Sequence, residues 1–211
     1  MFKEILAYFG QYWYLVAAFA ALLIVTVFVW MKAAASSRRS GADRESILKQ
    51  LKEEHDLAIE FASLTAEKAR AEEPKRLLRG LAAVIQKELE PQSDMNAAFH
   101  SLPVPKQYVY ALYYVLCEGA ESLGAFFRQN GKPLTTAANA AARDVIGGEF
   151  ASVFARGYQM FDGEDEEISV TEPGVSDLNE AFRAVMERES GAAFESVKIY
   201  VNQHLEVFVS L

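Results

Sequence analysis

The chain has 211 residues, a formal net charge of −8 and a single cysteine, and 51% of its residues are hydrophobic. One cysteine excludes an intrachain disulfide framework, and the acidic excess argues against direct nucleic-acid binding, which requires a basic face. The same acidic balance is typical of a soluble surface that is repelled by anionic headgroups, and it also permits a protein partner that carries a basic surface.

The first element along the chain is an apolar run from Trp13 to Trp30, which contains no charge, Pro or Gly. As a helix it would extend about 25 Å, close to the hydrocarbon thickness of a bilayer. Tyr12, Trp13 and Tyr14 at one end and Trp30 at the other form the aromatic belts expected at membrane interfaces. We therefore expect residues 13–31 to form a transmembrane helix in contact with lipid.

Basic residues beyond the span set its expected orientation. Lys32, Arg38 and Arg39 follow it closely and are predicted to lie at the membrane interface, whereas only Lys3 precedes it. Positive charges beside a span are retained on the cytoplasmic side, so the sequence predicts a single-pass protein with an outward N-terminus. Residues 1–12 would then be a short extracytoplasmic or interfacial segment, and the location would be the inner (plasma) membrane.

Two other interpretations of the apolar run stay open. Ala33 to Ala35 followed by Ser36 is typical of a signal-peptide cleavage site, which would place cleavage after Ala35. However, the run is longer than the roughly 7–15 apolar residues of a signal-peptide core. A buried core helix is the third interpretation, but such helices rarely run so far without a polar residue. We expect an uncleaved anchor.

After the span the composition changes twice. Residues 32–45 form a small-residue, polar and basic juxtamembrane linker, and residues 46–211 are acidic. In this second part apolar residues recur at spacings of three and four, and polar and apolar residues do not alternate over a useful length. The sequence therefore predicts an all-α fold, with one compact multi-helix domain on the cytoplasmic side.

The first predicted helix of this domain covers residues 46–72. Its seam contains Ala, His and Thr, so it makes a weak coiled coil by itself. We expect it to pack on the domain, and a homo-oligomer contact through residues 46–72 stays open. The seam residues are Leu48, Leu51, His55, Ala58, Ala62, Thr65 and Ala69.

Capping residues and prolines predict where several later helices begin. Pro74 can open a helix that Pro91 ends, Asp94 can cap a short one, and Ser176 or Asp177 can cap another. Other predicted helices are an aromatic one over Lys106–Gly119, an Ala-rich one over Thr135–Ile146 that Gly147-Gly148 punctuates, and an apolar face over Phe150–Phe161. The tail from Phe194 to Leu211 suits a helix, although its last residues also suit a short strand.

The sequence contains no recognisable catalytic, cofactor-binding or metal-binding constellation. His55, His100 and His204 are scattered, with no partner at metal-ligand spacing. Cys117 falls in the aromatic helix, where an inert buried thiol is more common than a nucleophile. Because a phosphate-binding loop and a nucleophile elbow are also missing, we expect a non-enzymatic protein without cofactor or metal.

Two acidic groups are the candidate partner-binding residues. Glu118 and Glu121 lie three residues apart and would share a helix face beside Tyr113 and Tyr114, either as a pair with raised pKa values or as a solvated helix end. The second group is an acidic run that lacks the ligand spacing of an EF-hand and is expected to be an exposed loop. It consists of Asp162, Glu164, Asp165, Glu166 and Glu167.

Six segments, taken in order, carry a resemblance to a known family. They are Tyr113-Tyr114 with Glu118, Gly124-Ala125-Phe126-Phe127 with Asn130-Gly131, Val145 to Gly148, Tyr158 to Phe161, Leu178 to Phe182, and Ile199-Tyr200-Val201. Over residues 105–208 the chain thereby resembles the DNA-mimic protein family, a small acidic all-helical domain otherwise of unknown function. The resemblance implies an all-α interaction domain without evident catalysis. It does not carry over mimicry itself, which depends on where surface carboxylates fall.

Together these patterns predict a membrane-anchored helical protein that presents an acidic interaction domain at the cytoplasmic face. Two alternatives remain: a structural single-pass subunit of a larger membrane assembly, and a DNA mimic that sequesters a DNA-binding protein. An enzyme that uses carboxylates or Cys117 is the least favoured interpretation.

Overall fold

The chain divides into two units, Met1–Lys52 and Glu53–Leu211. Almost all that can be described belongs to the second unit. A computed structural model describes residues 49, 51–120, 122–161 and 173–209.

The predicted membrane segment lies outside the described residues. This applies to residues 1–12, to the span 13–31 and to the linker 32–45. In the part of the chain that the structure describes, no helix is both long and apolar enough to cross a membrane. The predicted interface residues outside the description are Tyr12, Trp13, Tyr14, Trp30, Lys32, Arg38 and Arg39.

Regular structure in the described ranges is helical throughout, without a strand, which confirms the predicted all-α fold there. Two helices, α5 and α7, continue into π-helical turns, Tyr114–Glu118 and Ala142–Ile146. The tail is helical as far as Phe208, which confirms the predicted helix there and excludes the short strand that was left open as the alternative. The helices are α1 (51–61), α2 (Ala66–Ala71), α3 (Pro74–Leu89), α4 (Met95–Ser101), α5 (Val104–Tyr113), α6 (Leu123–Gln129), α7 (Leu134–Ala141), α8 (Gly148–Phe161), α9 (Pro173–Gln203) and α10 (Leu205–Phe208).

The single helix predicted over 46–72 is wrong, because the chain turns between α1 and α2. Thr65 caps α2, since its Oγ1 accepts a hydrogen bond from the Lys68 backbone N–H at 3.2 Å. Phe61 and Leu64, on either side of the turn, are each 1% exposed. Of the predicted seam, Ala58 and Ala69 are buried, whereas Leu51, His55, Ala62 and Thr65 are exposed.

The core of the second unit forms where α3, α5, α8 and α9 meet. The long helix α9 packs on α8, α3, α2 and α6, and α5 packs on α7 and α3. Rings fill much of the centre: Phe154 lies 5.8 Å from Phe126 and 6.3 Å from Phe150, and Phe150 lies 5.6 Å from Phe182. Burying each such side chain contributes roughly 1.5–3 kcal/mol, so these rings hold the helices in place.

Candidate partner-binding site

A group of tyrosines and carboxylates lies at the C-terminal end of α5 and on the adjoining α1. We call Tyr110, Tyr113, Tyr114, Glu118 and Glu54 the Tyr–Glu cluster. Four of these residues come from α5 and its π-helical turn, and Glu54 comes from α1. Single π-helical turns are frequent at functional sites, because the extra residue changes where the following side chains emerge.

The π-helical turn ends at Gly119, which lies in a crowded position. The Gly119 N–H bonds to the Tyr114 carbonyl at 2.7 Å, which closes the wide turn. A Cβ at Gly119 would lie 3.0 Å from that carbonyl oxygen and 3.2 Å from the Phe126 side chain. A side chain at position 119 would therefore require the backbone of the turn or the Phe126 side chain to shift.

The tyrosines are linked to one another from the core outward. Tyr110, which is buried, donates a hydrogen bond to Gln86 Oε1 on α3, and its hydroxyl lies 3.2 Å from that of Tyr114. The Tyr114 ring meets Tyr110 and Tyr113 edge-on, with centroids 5.1 and 5.4 Å apart. Burial raises the pKa of all three tyrosines, so their hydroxyls stay protonated and can donate hydrogen bonds.

Glu118 is an exposed carboxylate that is nevertheless partly dehydrated by its neighbours. Desolvation is the main cause that raises its pKa, a hydrogen bond from Tyr113 lowers the pKa by less, and the charge of Glu54 raises it further. Among the residues that the structure describes, no Lys or Arg forms an ion pair with Glu118. Two carboxylates beside aromatic rings, without an internal cation, suit a Lys or Arg side chain supplied from outside.

Glu60, on the same helix as Glu54, differs from Glu118 in that it is paired with cations of the chain itself. Its oxygens lie 2.9 Å from the Lys68 ammonium and 2.6 Å from the Arg76 guanidinium, which joins α1 to α2 and α3. Hydrogen bonds from Lys68 and then Arg76 lower its pKa. This carboxylate already has its cations, so it supports the fold and is a poor candidate for partner binding.

Cys117 is not prepared for nucleophilic chemistry. The half-buried thiol has its pKa raised to about 11 by burial, and the nearby charges of Lys75 and Arg79 only partly oppose that shift. At neutral pH the thiol is therefore protonated, and the thiolate is the reactive form. In the described ranges, moreover, no group of three His, Cys, Asp or Glu residues could hold a metal ion.

Of the predicted partner-binding residues, the structure places only Glu118. Sequence reasoning put Glu118 beside Tyr113 and Tyr114, and the structure confirms that neighbourhood. Sequence reasoning missed Glu54, because this residue is distant in the chain and local spacing does not relate it to Glu118. The predicted residues that lie outside the description are Glu121, Asp162, Glu164, Asp165, Glu166 and Glu167.

Comparisons with protein-family models, with curated proteins and with solved structures found no match for this chain. The resemblance to the DNA-mimic protein family therefore stays a prediction from the sequence. What the protein does has to be inferred from the residues of its own surface.

Proposed function

We propose that this protein is a non-enzymatic, membrane-anchored helical module whose cytoplasmic domain binds a basic protein partner through the Tyr–Glu cluster. One observation carries the proposal. Glu118 is partly dehydrated, the charge of a second carboxylate, Glu54, raises its pKa further, and no Lys or Arg in the described part of the chain forms an ion pair with it. A carboxylate in this position is unfavourable in the isolated protein and becomes favourable when a cation arrives.

A lysine or arginine side chain from the partner fits the chemistry of the cluster. Its charge would offset the repulsion between Glu54 and Glu118, and the hydrogen bond would be charge-assisted, worth about 1.5–3 kcal/mol. The rings of Tyr113 and Tyr114 offer faces or edges for a cation–π contact of about 0.5–2 kcal/mol. These terms together are enough to make a single basic residue dominate the affinity of an interface.

The anchor is the second part of the proposal and is supported by the sequence. The span 13–31 and its flanking Lys32, Arg38 and Arg39 favour an inner-membrane protein with its acidic domain in the cytoplasm. The matching experiment extracts cell membranes with alkaline carbonate, which releases peripheral proteins. We expect the full chain to stay with the membrane and a chain that begins at Ser46 to be released. Release of the full chain would refute the anchor.

The binding site is tested by charge reversal in the intact protein. The variant Glu54→Lys with Glu118→Lys is compared with a matched control, Glu187→Lys with Glu206→Lys, which changes the net charge equally at two exposed positions outside the cluster. Each protein is expressed in its own membrane, crosslinked with a short amine- and carboxyl-reactive reagent, and its neighbours are identified by mass spectrometry.

We expect a partner with a basic surface to be crosslinked to the wild type and the control but lost from the cluster variant. Equal recovery by all three proteins would refute the cluster as the binding site. Loss from both variants would mean that total charge, and not these two carboxylates, holds the partner.

DNA mimicry is the narrower form of this proposal, and it follows from the acidic composition of residues 46–211, since the family resemblance over residues 105–208 concerns the fold. It predicts that the captured partner is a DNA-binding protein and that duplex DNA displaces the acidic domain from it. A partner that binds the domain equally well with and without DNA would rule mimicry out.

A further inference from the structure

One side of the long helix α9 is exposed along about half of its length. Its residues recur at spacings of three and four, which places them in a row along one side of a helix. Ile199, at the end of this row, is a large apolar side chain that is 57% exposed. We call the row the α9 face, and it consists of Ala184, Arg188, Gly191, Ala192, Glu195 and Ile199.

The glycine at the centre of the α9 face is not required by the packing of the single chain. At Gly80, Gly124 and Gly157, which lie inside other helices, an added Cβ would overlap a neighbouring side chain. At Gly191 it would meet nothing within 4 Å, so within one chain alanine would be the better helix former. A glycine on a helix face lets a second helix approach closely, which gives Gly191 a use between chains.

The charges of the α9 face are complementary to the same face in reverse order. Arg188 lies three residues before Gly191, and Glu195 lies three residues after Ala192. When two copies of α9 cross antiparallel between positions 191 and 192, a two-fold axis relates them. Arg188 of each copy then lies opposite Glu195 of the other, so the crossing contains two ion pairs.

The apolar residue at the end of the α9 face is matched in the same way. Ile199 lies seven residues after Ala192, and Ala184 lies seven residues before Gly191. The two-fold axis therefore places the large side chain of each copy opposite the small one of the other. A shallow crossing angle of about 20° keeps these outer residues within reach of one another.

Arg188 keeps donors for a second carboxylate, although it already has a partner in its own chain. Its Nη2 lies 2.6 Å from Glu149 Oε2, in an ion pair whose side chains are 57% and 55% exposed. A guanidinium has five N–H donors, and an exposed ion pair contributes little to stability, so a second carboxylate can bind beside the first. Glu195 forms no ion pair with any residue that the structure describes.

We propose that the protein forms an antiparallel homodimer through the α9 face. The contact follows only about 22 Å of helix, which is small for a stable interface, so the dimer is weak and depends on its two ion pairs. The two acidic domains repel each other at long range, but physiological salt screens that repulsion beyond about 8 Å. The α9 face shares no residue with the Tyr–Glu cluster or with residues 46–72, so the dimer is independent of the proposed basic partner.

The geometry is tested by disulfide crosslinking of two differently tagged full chains that are expressed together. One carries Ala184→Cys and the other Ile199→Cys, and the cell lysate is oxidised with copper phenanthroline. We expect these two chains to crosslink, whereas neither variant should crosslink to itself, because equivalent positions lie about 22 Å apart in the antiparallel pair. Ser152→Cys, at an exposed position on α8, replaces Ala184→Cys in the matched control and should not crosslink to Ile199→Cys.

The ion pairs are tested by charge reversal, with one tag precipitated and recovery of the other tag measured. When both chains carry Arg188→Glu, or both carry Glu195→Arg, two ion pairs become two like-charge contacts and recovery should fall about tenfold or more. A chain with Arg188→Glu mixed with a chain with Glu195→Arg restores opposite charges, so recovery should return. Glu149→Gln, which breaks only the ion pair within the chain, should leave recovery unchanged.

The mixed pair also separates a lost contact from a lost fold, because a variant that does not fold is not rescued by another variant. Three results would overturn the proposal. A crosslink between two Ala184→Cys chains would mean that the helices run parallel. The absence of any crosslink between Ala184→Cys and Ile199→Cys would mean that the α9 face is not an interface. A mixed pair recovered no better than either variant alone would mean that Arg188 and Glu195 do not face each other.

Discussion

Gly80 and Gly191 are two helical glycines whose replacement by alanine should have opposite effects on stability. In α3, a Cβ at Gly80 would overlap Cγ and Cδ2 of the Phe61 ring and would lie 2.6 Å from its Cδ1. The ring has no easy way to move, because Phe61 is 1% exposed and also contacts the Lys68 ammonium, 4.9 Å from its centroid, and the Arg76 guanidinium, 5.7 Å away.

The magnitude follows from two opposing terms. Overpacking a buried site costs typically 1–3 kcal/mol, whereas replacing a helical glycine by alanine gains about 1 kcal/mol of helix propensity. Since the ring would have to shift by most of an ångström, the steric term should be at its upper end, and we expect Gly80→Ala to lower the free energy of unfolding by about 2 kcal/mol. At Gly191, exposed in α9, a Cβ meets nothing within 4 Å. There only the propensity gain remains, about 1 kcal/mol.

Urea unfolding of the full chain in nanodiscs, followed by circular dichroism of the helical signal, measures both variants against the wild type. The double variant Gly80→Ala with Phe61→Leu adds a coupling measurement, because the smaller side chain should accept the new methyl group. Should Gly80→Ala stabilise the protein as much as Gly191→Ala does, the close contact between Gly80 and Phe61 would be refuted.

Three further predictions concern other single side chains. Thr65→Ala should cost about 1 kcal/mol of unfolding free energy through loss of the α2 cap, whereas Ser63→Ala at an exposed position in the same turn should change it little; urea unfolding distinguishes them. Hydrogen bonding from Arg143 lowers the pKa of Asp144, so its stabilisation is present above the unfolded value of about 3.9 and is lost as the pH falls through the folded pKa. Asp144→Asn should therefore destabilise the protein at pH 7, and the difference from the wild type should shrink as the pH falls through the folded pKa; an effect that does not change with pH would contradict the ion pair. Because burial raises the pKa of Cys117 to about 11, iodoacetamide should label it slowly at pH 7 until urea unfolds the chain, and rapid labelling of the folded protein would contradict its burial.

Local signals in the sequence were enough to predict the helical fold and several helix ends. Asp94 caps α4 as predicted, with its Oδ1 accepting from the Ala97 N–H at 3.0 Å, and Pro74 opens α3. Gly147 and Gly148 end the Ala-rich helix with φ values of +74° and +60°, a conformation that glycine alone adopts readily. These features depend on a few neighbouring residues, which is why spacing and residue type reveal them.

Features that depend on distant contacts were not predicted. The turn between α1 and α2 is favoured by Phe61 packing against Gly80, which the pattern over 46–72 does not contain. The helix predicted to be capped by Ser176 or Asp177 begins earlier, at Pro173. The two π-helical turns were not predicted either, because each covers only five residues, too few for the sequence to show a periodicity of its own.

The same reasoning applies to the Tyr–Glu cluster. The spacing of Tyr113, Tyr114 and Glu118 shows that they share one helical segment, and it therefore predicted half of the site. Glu54 reaches the cluster only because α1 ends where it does and folds against the core. A site assembled from two helices far apart in the chain requires the tertiary structure, whereas a charge pair on one helix does not.

Glu118 provides a last prediction that separates a binding role from a structural one. Neutralising a charged residue that supports the fold lowers the protein's free energy of unfolding. Neutralising one that is retained for binding a partner can raise it, because that charge can destabilise the free protein. The pKa of Glu118 is raised, mainly by desolvation, so the folded state favours the protonated carboxyl. Its contribution to stability is therefore most favourable below the unfolded pKa of about 4.3 and declines as the pH rises through the folded value.

Glu118→Gln removes the charge and with it that decline. The variant should unfold at a higher urea concentration than the wild type at pH 7, and the difference should vanish as the pH approaches 4. Glu60→Gln, whose carboxylate has its pKa lowered by Lys68 and Arg76, should do the reverse and unfold more easily at pH 7. If Glu118→Gln instead destabilises the protein at pH 7, its carboxylate stabilises the fold. The unpaired charge on which the proposed partner site depends would then have a structural explanation.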